Sequence, residues 1–400
     1  MQKPLCFWRT ILKEDKITLA LLWSRYDGKV TSVNDLVSRL DKKRFNVIFV
    51  FLRGDAGERN LLKEAGYQVL YLSNAKRVSA FRFSVLFRLA RILKEHKVDM
   101  LHCHAHKTTV YGAVAGALAG TPVVLAHVHG LGRSRNLRRK LTNLLLFREI
   151  DRIICVANSV KEDVLKNNWR VPAEKVTVLE NSVDYERFAS VSISKADGKR
   201  MLGLPSDAFV FGTIARFGPY KGHNFLVSAF EKVKSEIPSA QLVLVGEGPL
   251  KEDAQRQAAA AGLKQSVHFL GQRNDVPELL TAMDVFVLPS IGSEGMPRVL
   301  LEAMAVGVPC IGTNVGGTPE LLPNSDIGYL VPPRDADALA EAMITLANTP
   351  EQKLKGLIER VRERIRTNFS HEVVAKKLGS IYEAEIGRCR ESNRRQTNSG

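Results

Sequence analysis

Short apolar runs alternate with amphipathic segments of helical length along this chain. Ile17–Trp23, Phe45–Leu52, Gln68–Leu72, Met100–His104, Val123–Val128, Arg152–Val156 and Val176–Leu179 are apolar at most positions, which predicts strands. Between them, Ser32–Leu40, Phe81–His96 and Val110–Ala119 have the length and pattern of helices. A polar segment, Val191–Lys199, interrupts the series. It then resumes with Phe209–Ala215, Gln241–Val245, Val267–Leu270, Val285–Leu288, Cys310–Thr313 and Gly328–Val331. A strand that is apolar throughout, and not at every second residue, has both faces covered, as in a parallel sheet between layers of helices. Two such series predict an α/β chain of two doubly wound, Rossmann-like domains facing each other across a cleft. The expected division is 1–190, 191–370 and a polar, frayed tail at 389–400. A C-terminal helix, about 370–388, is expected to pack back on the first domain. Ligands of open parallel sheets bind at the carboxyl ends of the strands, so the cleft is the expected site.

The length, 400 residues, exceeds what one core ordinarily supports and agrees with two domains. Charge changes the picture more. The chain carries 58 Lys+Arg against 42 Asp+Glu, a net of +16. Residues 1–150 hold 27 basic and 11 acidic residues, and residues 151–400 hold 31 of each. The whole excess therefore lies in the first part, which calls for an anionic partner there. Five scattered cysteines without C-x-x-C spacing read as reduced thiols of a cytosolic protein. Met1–Lys16 has no long apolar centre, and Val110–Ala126 is too broken by Gly and Pro to span a membrane.

The richest chemistry lies in Leu288–Leu322. Glu294 and Glu302 stand on either side of a turn, Gly295-Met296-Pro297, and the start of a helix over Val299–Val306 that ends at Gly307. Backbone N–H groups at such a helix start can hold an anion or a sugar hydroxyl, and a carboxylate within the helix can accept from a ribose diol. Gly316-Gly317-Thr318-Pro319-Glu320 again opens a helix from a loop.

With these segments the chain resembles the GT-B glycosyltransferases, specifically the large retaining family 4, over nearly its whole length. Further matching pieces are Gly212–Arg216 with Lys221-Gly222, Gly246–Pro249, Gly271–Val276, Leu101–His104, His129-Gly130 and Glu180–Asp184. The resemblance implies a nucleoside-diphosphate sugar as donor. Arg216 and Lys221 would stabilise charge developing on the leaving phosphates. Glu294 is similar to a glutamate beside the donor sugar, Gly295, Met296 and Pro297 to a loop whose amides hold sugar and phosphate oxygens, and Glu302 to a ribose-binding glutamate. Arg273 lies in the turn that resembles the base-binding one. His129, closing a strand, is similar to a histidine near the donor sugar, and Gly28 stands where the family has a double-glycine loop. Asn181-Ser182 replaces a usual Asn-Gly. No cofactor or catalytic metal is implied.

Other histidines admit a metal reading. His102, His104 and His106 alternate and could share a strand face, but no cysteine or acid has fitting spacing, so no metal is expected. His127 is read as lying on the opposite face from His129 and as structural. Two basic segments, Phe81–Lys97 and Gly130–Arg148, carry aromatic and apolar residues among their cations. They point to an anionic membrane surface and not to nucleic acid, for which no recognition motif is present. Phe7, Trp8, Ile11 and Leu12 could add an interfacial anchor. The resulting expectation is a retaining transferase that moves a sugar from a nucleoside-diphosphate donor to a hydroxyl of a growing, lipid-linked glycan at the cytoplasmic face of the membrane. The alternatives are an epimerase or soluble-acceptor synthase on the same fold, and a binding module without catalysis.

Overall fold

The structure, a computed structural model, describes residues 16–26, 32–54, 57, 59–75, 82–132, 136–292 and 294–397. The chain divides into two compact units, Met1–Glu180 with His371–Gly400, and Asn181–Ser370. The strands of the first unit are β1 (Ile17–Arg25), β2 (Phe45–Arg53), β3 (Gln68–Tyr71), β4 (Met100–His104), β5 (Val123–Val128), β6 (Arg152–Cys155) and β7 (Val176–Val178). They form one parallel sheet in the order β3-β2-β1-β4-β5-β6-β7. All five residues of β4 are buried, which is why that run shows no alternation. Helix Phe83–Glu95 buries Val85, Leu86, Leu89 and Leu93, one stripe of a 3.6-residue repeat.

The C-terminal helix, His371–Thr397, completes this first core. Val374, Ala375, Leu378, Tyr382, Ile386 and Cys389 pack with Leu19, Leu21, Met100 and Leu125 from the sheet. A buried ion pair, Arg152 Nε to Glu385 Oε1 at 2.5 Å, ties the helix to β6. Residues from 389 onward are not a frayed tail as far as Thr397. Cys389 is buried and Arg388 bonds Glu385 at 2.6 Å, so packing carries the helix through a polar sequence.

The division also falls after Glu180 and not after residue 190. Val183 bridges Ser370, and helix Tyr185–Ala189 packs on helix Arg298–Val306, which draws 181–190 into the second unit. That unit contains β8 (Phe209–Ile214), β9 (Ala240–Val245), β10 (Val267–Gly271), β11 (Val285–Leu288), β12 (Cys310–Thr313) and β13 (Tyr329–Val331). Its sheet is again parallel, in the order β10-β9-β8-β11-β12-β13. Phe211, Phe230, Leu242, Leu244, Val285 and Ile311 are central to its core. In both sheets the chain moves outward from the first strand and returns to its other side at the fourth. That reversal creates a crevice at the carboxyl ends of β1 and β4, and another at those of β8 and β11.

Candidate active site

The crevice of the second unit is made by two loops. The loop after β8 runs from Ala215 to Gly222, where helix His223–Glu236 begins. The loop after β11 runs to Pro297, which caps helix Arg298–Val306. Their backbones meet where Ile291 N–H donates to the Tyr220 carbonyl at 2.8 Å. Side chains meet at Glu294, which is buried: its Oε1 accepts from Lys221 Nζ and from Ser290 Oγ, each at 2.5 Å. Ser290 is itself fixed, because the Thr313 hydroxyl at the end of β12 donates to its carbonyl. The result is a carboxylate held by a cation and a hydroxyl beside the open amides of a helix start.

Two glycines allow this approach. Gly222 has φ 67°, and a Cβ there would lie 1.9 Å from the Pro289 carbonyl oxygen. Gly316 has φ 56°, and its Cβ would lie 2.1 Å from the Glu294 carbonyl oxygen. Any other residue would be strained by its backbone angle and would also push the loops apart. The Gly317 N–H then donates to the Gly295 carbonyl at 2.6 Å, and Asn181 Nδ2 donates to the Met296 carbonyl at 2.7 Å. Gly295, Met296 and Pro297 are buried by this bracing.

Arg216 is exposed on the same loop as Lys221. Glu302 is half-buried in the helix that follows Pro297, and burial raises its carboxyl above the usual range against the opposing pull of Arg298 and Arg187. Arg273 forms a two-pronged pair with Asp275, Nε to Oδ1 at 2.8 Å and Nη2 to Oδ2 at 2.5 Å. That bond holds the Asp275 carboxyl below its usual value. Lys221, Glu294 and the Gly295–Pro297 turn thus come together in one crevice, with Arg216 on one of its loops. Arg273 lies beyond β10, which borders β9, and is engaged locally.

His129 belongs to the first unit, and Gly28 lies outside the described residues. His129 Nε2 is 3.2 Å from His104 Nδ1, and Trp23 lies flat on His104, with ring centroids 3.9 Å apart and planes 3° from parallel. His127 is not on the opposite face from His129. Their rings stack at 4.2 Å, as the two-residue period of a strand requires. His106 does not share the face of His102 and His104. The backbone turns at Ala105, φ 75°, and His106 starts helix His106–Ala119. His102, His104 and His127 are buried, and that burial, reinforced by neighbouring imidazoles, keeps all three unprotonated; His102 is lowered to about 3.

The family model for Glycosyl transferases group 1 matches residues 194–364, and that for Glycosyltransferase Family 4 matches residues 26–187. The UDP-Gal:alpha-D-GlcNAc-diphosphoundecaprenol alpha-1,3-galactosyltransferase of Escherichia coli is 34% identical over 74% of this chain and 78% of its own length. The chain belongs to glycosyltransferase family 4. A family relative from Mycobacterium tuberculosis, the GDP-mannose-dependent alpha-(1-6)-phosphatidylinositol monomannoside mannosyltransferase, is 26% identical over 80% of this chain and 86% of its own. Anabaena HepE, solved in complex with UDP, superposes with a TM-score of 0.80 at 21% identity, over 92% of this chain and all of its own. The fold of this glycosyltransferase is GT-B.

Sequence reasoning missed Ser290, Trp23 and Tyr382 of this family member. Ser290 carried a usable signal, since it lies two residues past the end of β11 at the crossover of the sheet. Tyr382 carried none: its hydroxyl meets His102 Nδ1 at 2.7 Å across 280 positions of sequence.

The basic segments form a defined surface. Helices Phe83–Glu95 and Leu137–Leu146 both pack on helix His106–Ala119, so they lie on one face of the first sheet. Phe83 and Phe87 are 66% and 60% exposed, and Leu137, Leu141 and Leu145 form an exposed stripe one helical turn apart. Arg88, Arg91, Lys94, Arg138 and Arg139 are exposed beside them. Phe81, Arg133 and Arg135 lie outside the described residues. No helix among the described residues is long and apolar enough to cross a membrane.

Proposed function

We propose that this glycosyltransferase moves a sugar, with retention of anomeric configuration, from a nucleoside-diphosphate donor to a hydroxyl of a lipid-linked glycan. The observation that carries the reading is the Lys221–Glu294–Ser290 cluster at the β8/β11 crossover, beside the amides of helix Arg298–Val306. As the diphosphate leaves it gains charge, and Lys221 and Arg216 answer that charge from a loop braced against movement. Gly295, Met296 and Pro297 present the turn that receives sugar and phosphate oxygens. Glu294 contacts the donor sugar, Glu302 accepts from the ribose, and the Arg273–Asp275 turn borders the base. The leaving phosphate takes the proton of the acceptor hydroxyl as the new glycosidic bond forms on the face from which it departs. No metal takes part in this step.

A lipid-linked acceptor is supported by the Escherichia coli relative, named for a diphosphoundecaprenol substrate, and by the mycobacterial one, named for a phosphatidylinositol substrate. The exposed Phe and Leu residues among cations fit the same reading, because such a surface enters the headgroup region of an anionic bilayer. The protein then works peripherally at the inner face of the cytoplasmic membrane.

The test is a thermal-shift panel of UDP-, GDP- and ADP-linked sugars, followed by transfer to polyprenyl-diphosphate-linked GlcNAc without added Mg2+ or Mn2+. An α-linked product from an α-linked donor supports the proposal. A β-linked product would exclude retention, and an epimerised sugar from donor alone would exclude transfer as the primary reaction.

A further inference from the structure

We propose that His102, His104 and His127 form a binding site for a late first-row divalent cation such as Zn2+, inside the first unit and distinct from the Lys221–Glu294 cluster of the second. Their ligating nitrogens all lie within 4.8 Å of one another. His104 and His127 are register partners on adjacent strands, and His102 is two residues back on the same face of β4. The strands therefore fix all three Cα positions. Zinc–imidazole bonds of about 2.0–2.1 Å at tetrahedral angles place nitrogens roughly 3.3 Å apart, so binding requires the rings to turn on a fixed backbone.

The hydrogen bonds around the cluster argue for a ligand more than its composition does. His102 Nδ1 is engaged by the Tyr382 hydroxyl at 2.7 Å, and His104 Nδ1 by His129 Nε2 at 3.2 Å. In both rings it is Nε2 that is buried without a partner, and in His127 both ring nitrogens are. Metal-binding histidines ordinarily donate one N–H to an outer partner, which fixes the tautomer and turns the other nitrogen's lone pair toward the ion. Tyr382 and His129 occupy that outer position for His102 and His104. Burial keeps the three rings in the unprotonated form that ligates.

Donor chemistry selects the class of ion. Three imidazoles suit zinc, copper, nickel or cobalt, whereas Mg2+ and Ca2+ require oxygen ligands. Cys103 is not a fourth ligand, because its sulfur faces Gly112 of helix His106–Ala119 on the other side of the sheet.

The experiment equilibrates untagged full-length protein with ZnSO4, removes free metal by desalting, and measures bound zinc by mass spectrometry. Co2+ loading followed by visible absorption reports the ligand geometry. The wild type is expected to retain one equivalent of zinc and, with Co2+, to develop d–d absorption of a four-coordinate site. His127→Leu, checked for folding by circular dichroism, should retain none, and Tyr382→Phe should bind about 10- to 100-fold more weakly. Wild-type protein with only background zinc and a six-coordinate aquo Co2+ spectrum would overturn the proposal. So would zinc binding unchanged in folded His127→Leu. If that variant does not fold, unchanged affinity in Tyr382→Phe overturns it instead.

Discussion

The same sheet crossover occurs once in each unit and is furnished in opposite ways. Between β8 and β11 stand a cation, a buried carboxylate and a hydroxyl, held by backbone contacts that only glycine permits. Between β1 and β4 stand Trp23 and His104, stacked and uncharged, with two further imidazoles behind them. A common topology supplies a crevice in both places, but side chains decide what the crevice can bind. Fixed charge and open amides answer a diphosphate. Flat, neutral rings pack on one another.

The bracing of the second crevice is its most vulnerable property. Gly222→Ala should lower stability by about 3 kcal/mol or more, because it combines a left-handed backbone angle with a collision against Pro289. Thermal unfolding measures the loss, and a near-neutral result would mean that the loops are not held by close packing.

The second prediction concerns the first unit's surface. Arg138/Arg139/Lys140→Ala should weaken binding to phosphatidylglycerol vesicles by about 100-fold at low salt, from roughly 1 kcal/mol per basic residue. Sedimentation with vesicles checks it, and the wild-type binding should fall as salt rises. Equal binding by wild type and variant would remove this face from the account.

A third distinguishes buried rings by pH. His223 is stacked on Phe217 at 4.0 Å, and burial, aided by Lys221, lowers it to about 4 from an ordinary 6.5. The unfolded chain thus takes up a proton first as pH falls, so this contribution to stability is present above pH 6.5 and is lost on the way down through 4. Between pH 7 and 5 the loss is about 2 kcal/mol. Denaturant titrations of wild type and His223→Leu should differ in pH slope by that amount; identical slopes would contradict the burial argument.

The smallest effect is expected at Asn181→Ala, which removes the donor to the Met296 carbonyl and should cost about 1 kcal/mol. A rise in donor KM with little change in stability would locate that bond in the positioning of the turn. An unchanged KM would make it purely structural.

Much of this contrast was legible in the sequence. Met100–His104, Val123–Val128, Val285–Leu288 and Cys310–Thr313 are strands with the bounds their apolar runs predict, because strands covered on both faces admit few polar residues. The placing of Lys221 and of Glu294 with the Gly295–Pro297 turn on two loops was legible too, since each motif is continuous within its own loop; their meeting across 73 positions of sequence comes from the sheet topology. The histidine cluster was not. The alternation of His102, His104 and His106 does not carry past His104, because a backbone turn at Ala105 leaves no mark on sequence spacing. His127 shares a face with His129, as the two-residue period of a strand requires. The helix beyond Cys389 was hidden for another reason: its polar, largely exposed residues continue a helix whose last buried residue is Cys389.

The account rests most directly on the charged cluster of the second crevice. Its sharpest test is the turnover number of Lys221→Ala and of Glu294→Gln at saturating donor, with folding verified by thermal unfolding. Both variants are predicted to stay folded and to lose about a hundred- to a thousandfold in turnover. Either one turning over within a few-fold of wild type would contradict the assignment of this crevice to the transfer reaction.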